Sequence, residues 1–228
     1  MLVSDLIASY PALYHMAEDG SWPNIRKHGL LSTSALLTLY GYSGPERNEI
    51  ECQYRPKKRA ICCHGLEDAK IRDQKVMPPE DLKQCLLGGM TPQDWYELIN
   101  GKIFFWAKYE RLKWFLSARE YRNSANVVIT VDTRALLNRY AHRVTLTSFN
   151  TGSTLYSEPY TKPRPRGRDS FIGIKTYPVE AIDNIVEVVV EEGVPDIASL
   201  AVSVERWIAH KTGYEEPEYE RLDTIWHK

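Results

Sequence analysis

Any chemistry in this chain has to come from a few ionisable side chains set in apolar segments. Glu187 lies in "IVEVVVEEGVPDI", which begins at Ile185. Valine is β-branched and suits a pleated strand, whose side chains alternate between faces. Ile185, Glu187 and Val189 then share one face, and Val186, Val188 and Val190 the other. A lone carboxylate on an apolar face costs several kcal/mol unless it is paired or opens onto a wet cleft. Glu191, further along, allows a plainer reading in which this face is half-exposed. His15, inside the strand-like "ALYHMA", reads either as a packed, hydrogen-bonded histidine or as a ligand contact. Arg111, in "IFFWAKYERLKWFL", falls in the first turn of a helix that follows an aromatic strand. Helix starts present unpaired N–H groups and partial positive charge, so a cation there suits an incoming anion such as phosphate. Alternatively Glu110 offsets the charge and Arg111 is solvated.

Two basic stretches are candidates for gripping phosphates. In "TKPRPRGRDS", Lys162, Arg164, Arg166 and Arg168 are spaced by prolines that keep the chain extended, so the loop either grips phosphates of a nucleic acid or is a solvated linker. "RPKKR", from Arg55 to Arg59, is a weaker example. "CCH" at Cys62–His64 does not read as a metal centre, because adjacent strand residues face opposite ways and no second ligand pair has zinc spacing.

The elements that must position these groups follow from periodicity and caps. Ala12–Ala17 reads as a strand. Trp22–Gly29 reads as a helix with proline in its first turn and glycine at its end, and Ser32–Gly41 as a second helix capped by Ser32 or Ser34. Ser43–Arg59 is polar and irregular, hence a loop or flap. "RAICCHG" and "AKIRDQ" read as strands, "PEDLKQCLL" and "TPQDWYELI" as helices, and "KIFFWA" as a strand before a helix over Glu110–Arg122. Further strands are expected at "NVVITVDT" and "RVTLTSF", the first followed by the short helix "RALLNRY". A Gly/Pro/basic segment, Asn150–Ser170, precedes the Glu187 strand; a helix over Asp196–His210 and a peripheral tail complete the chain. Strands interspersed with helices, with no regular βαβ repeat, give a single α+β domain over residues 1–228.

A net charge of −1 gives no global field toward nucleic acid or membrane, so either contact needs a local patch. No apolar run approaches the ~20 residues that span a bilayer, and the first residues lack the pattern of a signal peptide. A cytoplasmic protein with reduced cysteines is the expectation.

Taken in order, these motifs resemble the ADP-ribosyltransferase superfamily, in particular the DarT-like enzymes that modify nucleic acid. "LYHMAEDGSWPNIRKHGLLS" matches their histidine strand, helix and "GL" turn, with His15 at the NAD-binding histidine. "IFFWAKYERLKWFL" matches their aromatic strand, gap, arginine and helix, with Arg111 at the arginine. "VEVVVEEGVPDI" matches their late glutamate strand, with Glu187 at the catalytic glutamate. The resemblance runs from Leu13 to Ile197. It departs at Gly20–Ser21–Trp22, where those enzymes usually carry an asparagine that helps hold NAD, and in the loop ahead of the glutamate. "HGLLSTSAL" and "IRDQ" are also similar to blocks of an uncharacterised bacterial family.

The resemblance implies split antiparallel or mixed sheets with a central NAD cleft and peripheral helices. It implies NAD as co-substrate, no metal, and Glu187 and Arg111 as catalytic residues. His15, Tyr14, Ser32 and Arg72 would hold the cofactor, and the four cations of residues 162–168 a nucleic-acid acceptor. The implied activity is mono-ADP-ribosylation of a DNA or RNA base, as the toxin of a toxin–antitoxin pair with a cognate antitoxin. Two alternatives share the fold: an NAD-dependent RNA 2′-phosphotransferase, for which Arg72 is a phosphate contact, or an NAD glycohydrolase. A third is an inactive nucleotide- or partner-binding module.

Overall fold

Strand-forming segments dominate the core, and they assemble into one large antiparallel sheet flanked by short helices. A computed structural model describes residues 1–155, 162–213 and 215–227. Helix α1 (Val3–Ser9) leads into β1 (Ala12–Glu18), followed by α2 (Trp22–His28), β2 (Leu30–Leu31) and α3 (Thr33–Leu39). Next come α4 (Gly44–Glu51), the hairpin β3 (Arg59–Ile61) and β4 (Ala69–Ile71), α5 (Pro79–Lys83) and α6 (Pro92–Asn100). The middle of the chain forms β5 (Lys102–Trp106), α7 (Tyr109–Leu116), β6 (Asn126–Asp132), α8 (Thr133–Tyr140) and β7 (Val144–Thr147). The last part forms β8 (Ile172–Gly173), β9 (Glu187–Glu191), β10 (Gly193–Val194), α9 (Ile197–Leu200), β11 (Ala201–His210) and β12 (Glu218–His227).

The sheet runs β12-β11-β6-β1-β5-β9-β7-β8, and its pairs are antiparallel. It is thus one sheet where two were expected, but it has a seam. The β1–β6 ladder runs from Ala12↔Asp132 to Glu18↔Asn126, whereas β1 and β5 register only at Tyr14↔Trp106. Beside that pair a side chain takes the place of ladder bonds: His15 Nδ1 lies 2.9 Å from the Phe104 carbonyl oxygen.

Two motifs far apart in sequence lock together near the seam. Gly29 ends α2 at φ 92°, and a Cβ there would sit 2.5 Å from Pro195 Cα. Directly beyond, β2 and β10 pair as Leu30↔Val194 and Leu31↔Gly193. The "GL" turn and the "GVP" turn are two halves of one contact, which fixes where β9 ends.

Three more expectations fail. Ser43–Arg59 is not an irregular flap: Pro45 starts α4, and Ile50 anchors it in a satellite core with Leu37, Tyr40, Ile61 and Ile71. Arg55, expected within a solvated basic run, is buried and donates to the Ile50 carbonyl, to Arg72 O at 2.7 Å and to Asn100 Oδ1 at 3.3 Å. The helix expected over Asp196–His210 stops at Leu200 and becomes β11, because β6 and β12 grip that segment from both sides. Pairing on two edges overrides a helical pattern. Among the described residues, no helix is long and apolar enough to cross a membrane.

Candidate functional site

The seam opens into a cavity of about 1060 Å³, lined by His15, Arg72, Gln74, Lys102, Arg111 and Glu187 among others. That is the upper end of what small-molecule sites occupy. β1 delivers His15, the turn after β4 delivers Arg72 and Gln74, α7 delivers Arg111, and β9 delivers Glu187.

Glu187 is 3 % exposed, so the half-exposed reading of its strand is wrong; Val188, Val189 and Val190 beside it are fully buried. The neighbouring strand supplies a partner because Thr147 stands opposite Glu187 in the β7–β9 register. Oε2 accepts from Thr151 N at 3.1 Å and from Thr151 Oγ1 at 2.8 Å, and Thr147 Oγ1 lies 3.1 Å away. Thr147 has one hydroxyl proton, and the Phe149 carbonyl at 2.8 Å competes for it, so the Thr151 pair is the firmer hold. All these contacts fall on one oxygen; among the described residues, no donor reaches Oε1. Burial pushes the Glu187 carboxyl up to about 7, against the pull of the two threonines and the nearby Arg166 charge.

His15 is partly buried, and its Nδ1 faces a carbonyl that can only accept, so Nδ1 carries the proton. Burial, reinforced by the Arg72 charge, lowers its pKa to about 4, so the ring is neutral at pH 7. Nε2 is therefore an acceptor, suited to a hydroxyl.

Arg72 stacks on Tyr121 at 4.9 Å and Phe115 at 5.7 Å, and burial lowers its pKa. No ion pair reaches it among the described residues, and its Nη2 is buried without a hydrogen-bond partner. Gln74, two residues on, is 5 % exposed; its Oε1 accepts from Arg55 N, while Nε2 has no partner. Tyr121 holds this guanidinium by a hydrogen bond, and Glu18 and Asp73 offset its burial only in part; a desolvated cation beside a cavity is the chemistry of an anion receptor.

A family model described as a family of unknown function (DUF7002) matches residues 11–201. The chain belongs to that family. No curated protein matches it. Every cavity residue named above lies within the DUF7002 match, which starts just before β1 and stops at the first residue of β11.

The DUF7002 fold brings His15, Arg72, Arg111 and Glu187 to one cavity but sends the other expected site residues elsewhere. Tyr14 is not among the cavity-lining residues; alternation turns it away from His15, and it packs against Tyr109 with ring centroids 5.2 Å apart. Ser32 is buried as the N-cap of α3, where its Oγ accepts from Ala35 N at 3.2 Å. Of the four cations assigned to nucleic acid, none lines the cavity. Lys162 and Arg168 are exposed, and Arg164 donates to Ser148 O. Arg166 is not at a surface at all: it is 2 % exposed, lies over Trp95 and Phe149, and donates to Thr151 O at 3.2 Å. Its role is to brace the loop that holds Glu187. Thr147, Thr151 and Gln74 went unseen in the sequence, since nothing in a threonine's local pattern marks it as a carboxylate's partner; only strand register does.

Proposed function

We propose that this DUF7002 protein is an NAD-consuming mono-ADP-ribosyltransferase, its cavity being the cleft of a split-sheet ADP-ribosyltransferase fold. One observation carries the reading: a buried carboxylate with one oxygen tied down and the other without a protein donor shares a cavity with a neutral histidine and a desolvated guanidinium that no ion pair reaches among the described residues.

The residues fit the dinucleotide by chemistry. Arg72 and Gln74 line the cavity with N–H donors, one of them cationic, which suit a pyrophosphate. His15 Nε2 accepts from a ribose hydroxyl. When bound, NAD supplies an activated ribose whose bond to nicotinamide is the one that breaks. As that bond lengthens, positive charge grows on the ribose, and the Glu187 carboxylate stabilises it more than it stabilises the ground state. Thr151 keeps the carboxylate from rotating away. The acceptor's nucleophilic atom forms the new bond to the ribose carbon and its proton passes to Glu187, which burial holds near 7 and so equips as a base. The buried valines around Glu187 keep competing water out. A nucleic-acid base as acceptor, a toxin role with a cognate antitoxin and a cytoplasmic site of action belong to this proposal by analogy.

The test is incubation of purified protein with adenylate-labelled NAD and DNA, RNA or protein acceptors. Release of nicotinamide with label transferred to an acceptor supports the reading, and its loss in Glu187→Gln assigns the carboxylate. Nicotinamide release without transfer points to a glycohydrolase. No turnover, and no stabilisation of the fold by NAD, refutes it.

A further inference from the structure

One wall of the cavity is built from a single face of α7 and the turn after it: Arg111, Trp114, Phe115, Ala118 and Arg119, spaced as helical neighbours. Trp114 borders the cavity and is 62 % exposed. The Arg111 guanidinium lies over its ring at 5.1 Å. Arg119 is exposed as well, and neither arginine has an ion-pair partner among the described residues. Of the acids beside this face, Glu120 is tied to Lys75 at 2.7 Å, and Glu110 in the first turn of α7 makes no ion pair with either arginine. The wall therefore presents an exposed indole together with two arginines that no carboxylate neutralises by an ion pair among the described residues.

We infer that this face of α7 is a docking platform for single-stranded nucleic acid, with a base stacking on Trp114 and backbone phosphates meeting Arg111 and Arg119. Every base has a π-face and every nucleotide a phosphate, so an exposed indole sharing a wall with two arginines suits a strand whatever its sequence. The platform leads a strand to the cavity that holds Glu187, and it replaces the residue 162–168 segment as the acceptor surface, since those cations do not line the cavity. The inference rests on the transferase reading for its biological meaning, but binding is measured without NAD.

Fluorescence anisotropy with labelled mixed-sequence single-stranded DNA and RNA, using the full chain at low salt, tests it. Saturable binding that weakens with salt is expected. Trp114→Ala should weaken binding at least about five-fold, the low end for one stacked base. Arg119→Gln should reduce the salt slope by about 0.7, one single-strand phosphate contact. Both side chains are exposed, so melting temperature checks that each variant folds. Equal affinity in both variants overturns the inference, as does binding of duplex or of an acidic peptide in preference to single strands. Loss of NAD-induced stabilisation in Trp114→Ala with oligonucleotide affinity intact also overturns it, by giving the indole to the dinucleotide. Oligonucleotide binding without any NAD response would leave the platform standing and remove the transferase reading.

Discussion

Replacing Glu187 by glutamine should stabilise the protein, and by an amount that grows with pH. The folded chain holds this carboxyl near 7, against an ordinary value of 4.5, chiefly because burial penalises its charge. At about 1.4 kcal/mol per pH unit, ionising it inside the fold costs about 3 kcal/mol. Below 4.5 both folded and unfolded states are protonated and the cost is absent. Between 4.5 and 7 the unfolded chain gives up the proton while the folded chain keeps it, so stability falls as pH rises. Above 7 the full cost is present. Glutamine does not titrate, and its amide oxygen can accept from Thr151 N and Oγ1 as Oε2 does. Urea unfolding of both proteins at pH 5 and pH 8.5 should therefore show the gap in favour of Glu187→Gln widening by about 2–3 kcal/mol. A gap independent of pH, or a glutamine variant less stable at pH 8.5, would refute the reasoning, because either result means the carboxylate is not desolvated in the fold.

The same logic gives other outcomes. His15 has the opposite sign: a base lowered to about 4 confers stability that is complete above 6.5 and lost as pH falls toward 4, so His15→Phe should flatten the acid limb of an unfolding curve. Arg72→Met should raise the melting temperature, since it removes a desolvated cation with no ion pair, yet abolish stabilisation by NAD in the same thermal scan. Arg166→Met removes a positive charge near Glu187, so the pH at which activity half-appears should move upward from about 7 in an initial-rate profile. Gly29→Ala should cost about 2 kcal/mol or more by chemical denaturation, because its Cβ would meet Pro195 Cα at 2.5 Å with φ at 92°.

Local patterns were legible where local physics decides. β1, α2, α3 and β5 appear where alternation, proline starts and caps put them, and Ser32 caps α3 as expected. The β11 segment misled because its neighbours, not its own periodicity, make it a strand. In the site, His15, Arg111 and Glu187 stood out as ionisable groups in apolar or aromatic settings, Arg72 entered only through the resemblance, and all four reach the cavity. Arg166 misled for a related reason: prolines and fellow cations suggested solvent, but its guanidinium pairs with a carbonyl that only the fold brings near. Thr151 and Gln74 matter through partners at long sequence separation, which no window of sequence contains.

The central claim is that the seam between β1 and β5 receives NAD, and a structure of the protein soaked with a slowly reacting NAD analogue tests it most directly. The account predicts the analogue inside the cavity, its pyrophosphate at Arg72 and its nicotinamide ribose within hydrogen-bond reach of Glu187 Oε1. An analogue bound outside that cavity, or none bound at saturating concentration, contradicts it.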